Sequence, residues 1–244
     1  MKIGGIIPTS FIDYPDNIST VIFTDGCNLN CDYCHNHELI KGAEGYKPTI
    51  PEEKVLDFLD DRKDNYIDGV VISGGEPCMQ GGLVEFIEKI KQRDLKVKLD
   101  TNGAYPGVLR KLLRNNLLDY VAMDLKVSKD KMDVIGIKTK KVRDLYLDDV
   151  MESISYLRKY KTNNNFKYEF RTTVIPGIHN ERDIEELTRL IADTTPISYT
   201  IQNFRPQGIR DKKSLPNTGF SEDELDKLKS VAADYVDDVK IKNK

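Results

Sequence analysis

The sequence predicts an α/β fold with a parallel sheet built from six strand–helix units. Apolar runs of strand length alternate with segments of helical period along nearly the whole chain, which is the order of repeated βα units. Of the 244 residues, 39% are hydrophobic and 32% are charged, so the chain can bury a sizeable core. We expect a single domain over residues 1–244, with 1–19 as an N-terminal extension and 206–244 as a C-terminal loop and helix.

Each strand is predicted from a short apolar run, and each helix from apolar residues spaced three or four positions apart. In the second helix, Leu83, Phe86 and Ile90 form such a stripe, which would pack on the sheet. The predicted strands are 20–24, 69–73, 96–100, 120–124, 168–174 and 199–204, and the predicted helices are 51–60, 83–93, 108–115, 145–159, 181–192 and 222–235.

Periodicity alone does not decide between an open doubly wound sheet and a partial barrel. Both arrangements place ligands at the carboxyl ends of the strands. Polar and glycine-rich sequence follows the first four predicted strands, at 25–27, 73–77, 100–103 and 124–126. Each of these segments contains an aspartate or a glutamate. Turns that only connect strands to helices would not need an acidic residue after every strand. We therefore expect the functional site at this edge of the sheet.

The charge and hydropathy of the chain exclude several functions. Lysine and arginine number 37 against 40 aspartate and glutamate residues, which argues against nucleic-acid binding through bulk positive charge. No apolar run approaches the roughly 20 residues that cross a bilayer. Pro8 and Asp13 interrupt the N-terminal apolar stretch before a signal-peptide core could form. We expect a cytoplasmic protein with neither nucleic-acid nor membrane partners.

Three of the four cysteines lie within eight positions, as Cys27, Cys31 and Cys34. In a reducing compartment, clustered thiols indicate metal binding rather than disulfides. Zinc is one interpretation, because His35 or His37 could complete a tetrahedron. An iron–sulfur cluster is the other, and with three cysteines it would leave one iron open for chemistry. The number of ligands leaves both interpretations open.

Two motifs together give a resemblance to a known family. The segment 27–34, CNLNCDYC, is the CxxxCxxC signature of radical SAM enzymes. The segment 74–77, GGEP, resembles the motif that binds the amino group of S-adenosylmethionine in that superfamily. The resemblance implies a partial (β/α)6 barrel of the radical SAM type, with one [4Fe-4S] cluster per chain and S-adenosylmethionine as cofactors.

Further segments resemble the activating enzymes of glycyl radical proteins, and 12–15 (IDYP) and 202–206 (QNFRP) are most similar to those that activate anaerobic ribonucleoside-triphosphate reductase. The resemblance implies an oxidoreductase that cleaves S-adenosylmethionine to a 5′-deoxyadenosyl radical and generates a glycyl radical on a partner, the anaerobic ribonucleotide reductase. It also implies a low-potential electron donor such as flavodoxin or ferredoxin. The other matching segments are 9–36, 100–103, 123–126 and 171–177.

The resemblance assigns roles to particular residues. Cys27, Cys31 and Cys34 would hold the cluster and carry the catalysis. A monovalent cation would bind near Asp100 and Asp124, unless these carboxylates only cap helices or bond to loops. Lys126 and Arg171 would meet the cofactor carboxylate or ribose, form ion pairs with the two acids, or do both. The residues expected to bind S-adenosylmethionine are Tyr33, Gly74, Gly75, Glu76, Pro77, Asp100, Asn102, Asp124, Lys126 and Arg171.

Some features depart from the family pattern or leave the function open. No cysteine-rich insert follows the cluster motif, where 41–47 stands instead, so a second cluster is not expected. Cys78 is interpreted as a buried thiol rather than a ligand, and the polar segment 206–219 as a surface loop or a docking segment. Alternative functions are a radical SAM enzyme acting on another glycyl radical enzyme, a peptide or a small molecule, and a zinc-stabilised interaction module without catalysis.

Overall fold

The computed structural model describes residues 1–39, 49–64, 66–160, 166–192, 198–209 and 215–242. In these ranges one eight-stranded sheet runs in the order β1 to β8. The strands are β1 (Ile3–Ser10), β2 (Ser19–Thr24), β3 (Gly69–Gly74), β4 (Lys96–Thr101), β5 (Tyr120–Asp124), β6 (Lys167–Val174), β7 (Ser198–Asn203) and β8 (Asp238–Lys242). The α-helices are α1 (Glu52–Asp60), α2 (Leu83–Lys91), α3 (Pro106–Arg114), α4 (Lys140–Lys159), α5 (Glu181–Arg189) and α6 (Glu222–Ala233).

The chain winds in one direction throughout the sheet. β1 pairs with β2 in the antiparallel sense, and every neighbouring pair from β2 to β8 is parallel. Because the strand order never reverses, the sheet lacks the switch point of a doubly wound fold, and β1 and β8 are its two edges. This topology is that of a partial barrel, which confirms the predicted fold class.

The two faces of the sheet carry different side chains. Along β3, Val70 and Ile72 belong to the main core that packs toward the helices, whereas Val71 belongs to a separate cluster with Tyr14 and Tyr120. This alternation is that of a strand buried on both faces. The second cluster lies on the inner face of the barrel, which is therefore filled partly by a side chain from the turn between β1 and β2.

All six predicted strands and all six predicted helices are present, and strand 120–124 has the predicted bounds. The largest shift concerns α4, which begins at Lys140 rather than at residue 145. The Thr139 side chain caps this helix by accepting a hydrogen bond from the N–H of Val142 at 3.4 Å. A capping threonine satisfies one of the unpaired N–H groups of a first turn, so the helix starts before its apolar stripe does.

Two edge strands were not predicted from the sequence. β1 lies in the expected N-terminal extension, where Gly4, Gly5 and Pro8 interrupt the apolar pattern. β8 lies in the expected C-terminal loop and helix, and its apolar residues are only Val239 and Ile241. Edge strands pair on one side, so neither needs the long apolar run that marks a central strand.

Two expectations fall on residues outside the described ranges. They concern 41–47, the segment after the cluster motif, and 210–214, the middle of the polar segment 206–219. Among the helices that the structure describes, none is long and apolar enough to cross a membrane.

Candidate active site

The three clustered cysteines lie in the loop that follows β2. Cys31 is buried, and Cys27 and Cys34 are half-buried. All three line one cavity of about 180 Å³ between the ends of β3, β4, β5 and β6, which we call the cysteine cavity. Of the residues expected to bind the cofactor, Pro77 does not line it. Those that do are Tyr33, Gly74, Gly75, Glu76, Asp100, Asn102, Asp124, Lys126 and Arg171.

Backbone contacts hold the cysteine loop in place. The N–H of Asn30 donates to the carbonyl of Ile135 at 3.0 Å, and the N–H of Asp32 donates to that of Val134 at 3.1 Å. Both acceptors lie in the 3-10 helix Lys129–Ile135, which follows β5. The loop is therefore attached to a second strand end as well as to its own strand, and a supported backbone presents the three thiols.

Gly74 and Gly75 let the end of β3 approach the start of the cysteine loop. The N–H of Gly75 donates to the carbonyl of Thr24 at 3.0 Å, and the N–H of Glu76 donates to that of Gly26 at 2.9 Å. A Cβ on Gly75 would lie 1.9 Å from the Gly26 carbonyl oxygen, and Gly74 has a φ of +116°. Glycine is therefore required at both positions by the close approach of the two loops.

The buried Glu76 side chain faces donors of the chain itself. Its carboxylate accepts hydrogen bonds from the N–H of Cys78 at 3.0 Å, the hydroxyl of Thr101 at 2.7 Å and the N–H of Asn102 at 2.8 Å. Burial raises the pKa of Glu76, and these donors oppose the rise. The side chain of Cys78 is a further hydrogen-bond partner of this carboxylate. Glu76 thus ties the ends of β3 and β4 together, a role that the sequence did not predict.

Acidic and basic side chains alternate in a row of ion pairs at the ends of β4, β5 and β6. Arg171 Nε lies 2.9 Å from Asp124 Oδ1, and Arg171 Nη1 lies 3.4 Å from Asp100 Oδ1. Lys126 Nζ lies 2.8 Å from Asp124 Oδ2, and Lys98 forms an ion pair with Asp100. Burial acts to raise the pKa of Asp124, but the charges of Arg171 and Lys126 outweigh it and lower the pKa to about 2. Asp124 is therefore ionised at neutral pH.

The guanidinium of Arg171 occupies the space between the carboxylates of Asp100 and Asp124. Each carboxylate also has a lysine partner, so cations of the chain offset the repulsion between the two acids. Lys98 is 2% exposed and was not among the predicted site residues. Its position two residues before Asp100, on the same face of β4, is the signal that could have identified it.

The hydroxyl of Tyr33 is buried and has no hydrogen-bond partner among the residues that the structure describes. Buried hydroxyls are normally hydrogen-bonded, so this oxygen fits a site that receives a polar group from a ligand. His35 also lines the cysteine cavity, and the centre of its ring lies 6.5 Å from that of Phe204.

The donor atoms of the cavity suit an iron–sulfur cluster, because cysteine thiolates are the ligands of such clusters. In the described part of the chain, no three Cys, His, Asp or Glu side chains are arranged to hold a single metal ion. A zinc ion would need its sulfurs about 3.8 Å apart, given its Zn–S distance, whereas a cluster binds each thiolate through a different iron. Burial raises the pKa of Cys27 to about 11 and that of Cys31 to about 12, so metal binding must displace protons.

Cys78 lies apart from the three clustered cysteines. It is buried in the main apolar core, outside the cysteine cavity, in the 3-10 helix Pro77–Met79. This placement confirms its interpretation as a buried thiol. Pro77 begins the same short helix and is buried outside the cavity.

Asn36 and Thr101 also line the cysteine cavity, and neither was predicted from the sequence as a site residue. The Asn36 amide donates to the carbonyl of Gly74 at 3.1 Å, and Thr101 holds Glu76. Asn36 lies two residues after Cys34 and Thr101 directly follows Asp100. Their nearness to predicted motifs is the signal that could have identified them.

A second cavity of about 280 Å³ lies inside the barrel, and we call it the lumen cavity. It reaches from the cysteine cavity to Ile12 in the turn between β1 and β2, and to Lys242 at the end of β8. The residues that line both cavities are His35, Asn36, Ser73, Asp100 and Arg171. The two cavities are therefore neighbours that share these five residues in their walls.

A partial parallel barrel with three thiols and a glycine-rich loop at the carboxyl ends of its strands is the architecture of a cluster-dependent enzyme class. The chain belongs to the radical SAM superfamily, whose family model matches residues 21–191. Membership implies a [4Fe-4S] cluster and S-adenosylmethionine, with which Cys27, Cys31 and Cys34 are consistent. The chain is a radical SAM enzyme.

Several known proteins are similar to this chain. A Methanocaldococcus jannaschii protein provisionally named a glycyl-radical enzyme activating enzyme is 36% identical over 246 residues, which cover 98% of this chain and 95% of that protein. The pyruvate formate-lyase-activating enzyme of Clostridium pasteurianum is 29% identical over 197 residues, 78% of this chain and 76% of the relative. The structure of Streptococcus suis SuiB bound to precursor peptide SuiA matches with a TM-score of 0.65 at 16% identity, over 91% of this chain and 48% of that chain. The likeness to SuiB concerns the fold alone.

Proposed function

We propose that this chain is an activating enzyme for a glycyl radical enzyme. It cleaves S-adenosylmethionine reductively and removes a hydrogen atom from a glycine of its partner. The observation that supports this most is the lumen cavity, because it borders the cysteine cavity and would leave space beside it for a substrate residue. The similarity to the Methanocaldococcus jannaschii protein over the full length of both chains points the same way.

The residues of the cysteine cavity divide the task of holding the two cofactors. Cys27, Cys31 and Cys34 would hold the [4Fe-4S] cluster, and the chemistry that it would supply is the transfer of one electron, taken from a low-potential donor such as flavodoxin or ferredoxin, to break a carbon–sulfur bond. Arg171 and Lys126 would attract the carboxylate of S-adenosylmethionine by their positive charge, while Asp100 and Asp124 hold Arg171 in place.

The remaining cavity residues orient the other parts of S-adenosylmethionine. The backbone of Gly74 and Gly75, the carboxylate of Glu76 and the side chain of Asn102 would receive its amino group. The unpaired hydroxyl of Tyr33 gains a partner from the bound cofactor. Because these groups are already fixed by contacts within the chain, little ordering remains to be done on binding.

The partner we propose is the anaerobic ribonucleoside-triphosphate reductase. The segments 12–15 and 202–206 carry that resemblance, and both contribute to the lumen cavity, through Ile12 and Gln202 among others. The residues that distinguish this chain within the resemblance thus lie where a substrate would enter. The choice of partner depends on these two segments, since the Clostridium pasteurianum relative is named for a different glycyl radical enzyme.

A monovalent cation beside Asp100 and Asp124 remains a prediction of the resemblance. Arg171 already bridges the two carboxylates, so a cation there would share its oxygen ligands with the guanidinium. The geometry therefore supports this part of the proposal less than it supports the cofactor contacts.

Electron paramagnetic resonance tests the proposed function. The enzyme is reconstituted anaerobically and mixed with reductant, S-adenosylmethionine and the anaerobic reductase of the same organism, with a pyruvate formate-lyase as the comparison. We expect a glycyl radical signal on the reductase that requires S-adenosylmethionine, and a much weaker signal on the lyase. A signal on the lyase alone would leave the activating function intact and refute the choice of partner. Cleavage of S-adenosylmethionine without a radical on either protein would favour a peptide or small-molecule substrate.

A further inference from the structure

Lys98 is a buried cation on the inner face of the barrel. Its side chain is 2% exposed and lines the lumen cavity, and its ammonium forms an ion pair with Asp100, two residues further along β4. The same ammonium lies 5.8 Å from the centre of the Tyr120 ring, whose face attracts positive charge. Lysine is rarely buried to this degree unless an acid pairs with it, because removing an ammonium from water is costly. A surface role therefore does not account for Lys98.

Lys98 stands at one end of a row of ion pairs in which each acid lies between two cations. Its partner Asp100 also pairs with Arg171, and Asp124 pairs with both Arg171 and Lys126. The row therefore contains three basic side chains and two acidic ones. Within the row, the charges of the two carboxylates are fully compensated by groups of the chain itself.

The lumen cavity adds no excess of negative charge to this row. Its other charged side chains are Asp13, Glu169 and Lys242, which bring the basic and acidic side chains to equal numbers. The carboxylate of Glu169 accepts a hydrogen bond from the Thr200 hydroxyl at 2.8 Å, and that of Asp13 accepts one from the Ser10 hydroxyl at 2.6 Å. The charges around Lys98 are therefore balanced without a metal cation.

The oxygens of the two site carboxylates already bind these cationic side chains. Asp124 Oδ1 lies 2.9 Å from Arg171 Nε, and Asp124 Oδ2 lies 2.8 Å from Lys126 Nζ. Asp100 Oδ1 is shared by Lys98 and Arg171. A monovalent metal cation beside both acids would have to displace an ammonium or the guanidinium, and the remaining positive charges would oppose its binding. The residues present therefore do not fit such a cation.

The ion pair of Lys98 with Asp100 also bears on Arg171. Burial acts to raise the pKa of Asp100, but the charges of Arg171 and Lys98 outweigh it and lower that pKa. Burial lowers the pKa of Lys98, and the charge of Asp100 opposes this fall. Each partner thus favours the charged form of the other. Without the ammonium, Asp100 would draw more strongly on the guanidinium that it shares with Asp124, because a buried charge that loses its partner is costly.

We infer that the ammonium of Lys98 takes the place of a monovalent metal cation beside Asp100, and that Lys98 positions Arg171, through Asp100, for the carboxylate of S-adenosylmethionine. The inference rests on the proposed contact between Arg171 and that carboxylate, and it does not depend on which partner is activated. Lys98 is a positioning residue, since it acts on the cofactor through two other side chains. Binding of S-adenosylmethionine then needs neither Na⁺ nor K⁺.

Exchange of the monovalent cation in the buffer tests the inference on the unaltered protein. The Kd of S-adenosylmethionine is measured by titration of the reconstituted enzyme in the chloride of potassium, sodium or tetramethylammonium, at equal ionic strength so that screening is constant. Tetramethylammonium is too bulky to replace a metal ion between two carboxylates. We expect the same Kd in all three salts. A Kd that rises at least about tenfold in tetramethylammonium and falls again with K⁺ would overturn the inference.

Two variants of Lys98 test its positioning role. Lys98→Ala leaves space beside Asp100, Lys98→Met fills that space without a charge, and Lys96→Ala changes an exposed lysine of the same strand as the control. In tetramethylammonium we expect both Lys98 variants to raise the Kd of S-adenosylmethionine at least about tenfold, with iron content unchanged, and the control to match the wild type. K⁺ or methylammonium should lower the Kd of Lys98→Ala again but not that of Lys98→Met. A merely structural role would show no such rescue and would overturn the inference.

Arg171→Met, measured in the same salts, separates this inference from the contact on which it rests. Weaker binding in Arg171→Met together with unchanged binding in Lys98→Ala would overturn the role of Lys98 alone. Unchanged binding in both variants would overturn the proposed contact of Arg171 with the carboxylate as well. If Lys98→Ala lost its iron or failed to fold, the salt exchange on the wild-type enzyme would still decide whether a metal cation belongs to the site.

Discussion

Replacing Cys31 by alanine is expected to abolish iron binding and the cleavage of S-adenosylmethionine together. Cys31 is buried in a loop fixed by the backbone contacts of Asn30 and Asp32, so the loop cannot shift to bring in a substitute ligand. We expect metal affinity to fall by more than about 100-fold. Mutation of a residue that only hydrogen-bonds to a metal ligand already lowers the affinity by about 10–100-fold. Iron and sulfide analysis after anaerobic reconstitution measures the loss directly, and 5′-deoxyadenosine formation provides the second readout.

Cys78→Ala is the matched control for this prediction. Cys78 has the same thiol but lies in the apolar core outside the cysteine cavity, so its loss should lower stability slightly and leave the iron content unchanged. Equivalent iron loss in Cys78→Ala and Cys31→Ala would contradict a cluster held by three cysteines with one open iron.

Gly75→Ala is expected to damage the site without removing any ligand. The new Cβ would lie 1.9 Å from the carbonyl oxygen of Gly26, and backbone cannot yield as a flexible side chain can. The cysteine loop and the end of β3 must therefore separate, which breaks the hydrogen bond from the Glu76 N–H to Gly26. Overpacking of this kind costs about 1–3 kcal/mol, and in a chain of this size each kcal/mol lowers Tm by about 2–4 °C. Thermal unfolding and titration of S-adenosylmethionine should both register the change.

Gly81→Ala provides the comparison. Gly81 has no atom within 4 Å of the position that a Cβ would occupy, and it is not among the residues with a positive φ. We expect wild-type stability and wild-type cofactor affinity for this variant. If Gly75→Ala behaved in the same way as Gly81→Ala, the close approach of the two loops would not matter for the site.

The sequence predicted where the site lies because its main signals are local. Parallel strands bring their carboxyl ends to one edge, so the polar segments after successive strands had to meet there. Cys27, Gly75, Asp100 and Asp124 could each be identified from their own strand end. The order of the strands and helices, which the alternating periodicity predicts, is enough to infer that these residues meet in one cavity.

Contacts that depend on strand register were not predictable from the sequence. Arg171 reaches both carboxylates because β5 and β6 pair Asp124 directly with Arg171, and a single chain gives no measure of that register. Glu76 was expected to bind a cofactor, whereas its hydrogen bonds with Thr101 and Asn102 depend on how the end of the next strand folds. The pairing of β1 with β2 was also not predictable, because the apolar pattern did not reveal the turn that joins the two strands.

Deuterium transfer from glycine tests the central claim most directly. The partner reductase is produced with glycine deuterated at its α-carbon and mixed with reconstituted enzyme, reductant and S-adenosylmethionine. The 5′-deoxyadenosine formed is then analysed by mass spectrometry. If this chain activates a glycyl radical enzyme, the product carries one deuterium and its amount follows the glycyl radical signal. Product without deuterium, formed at the same rate with and without the reductase, would contradict the claim.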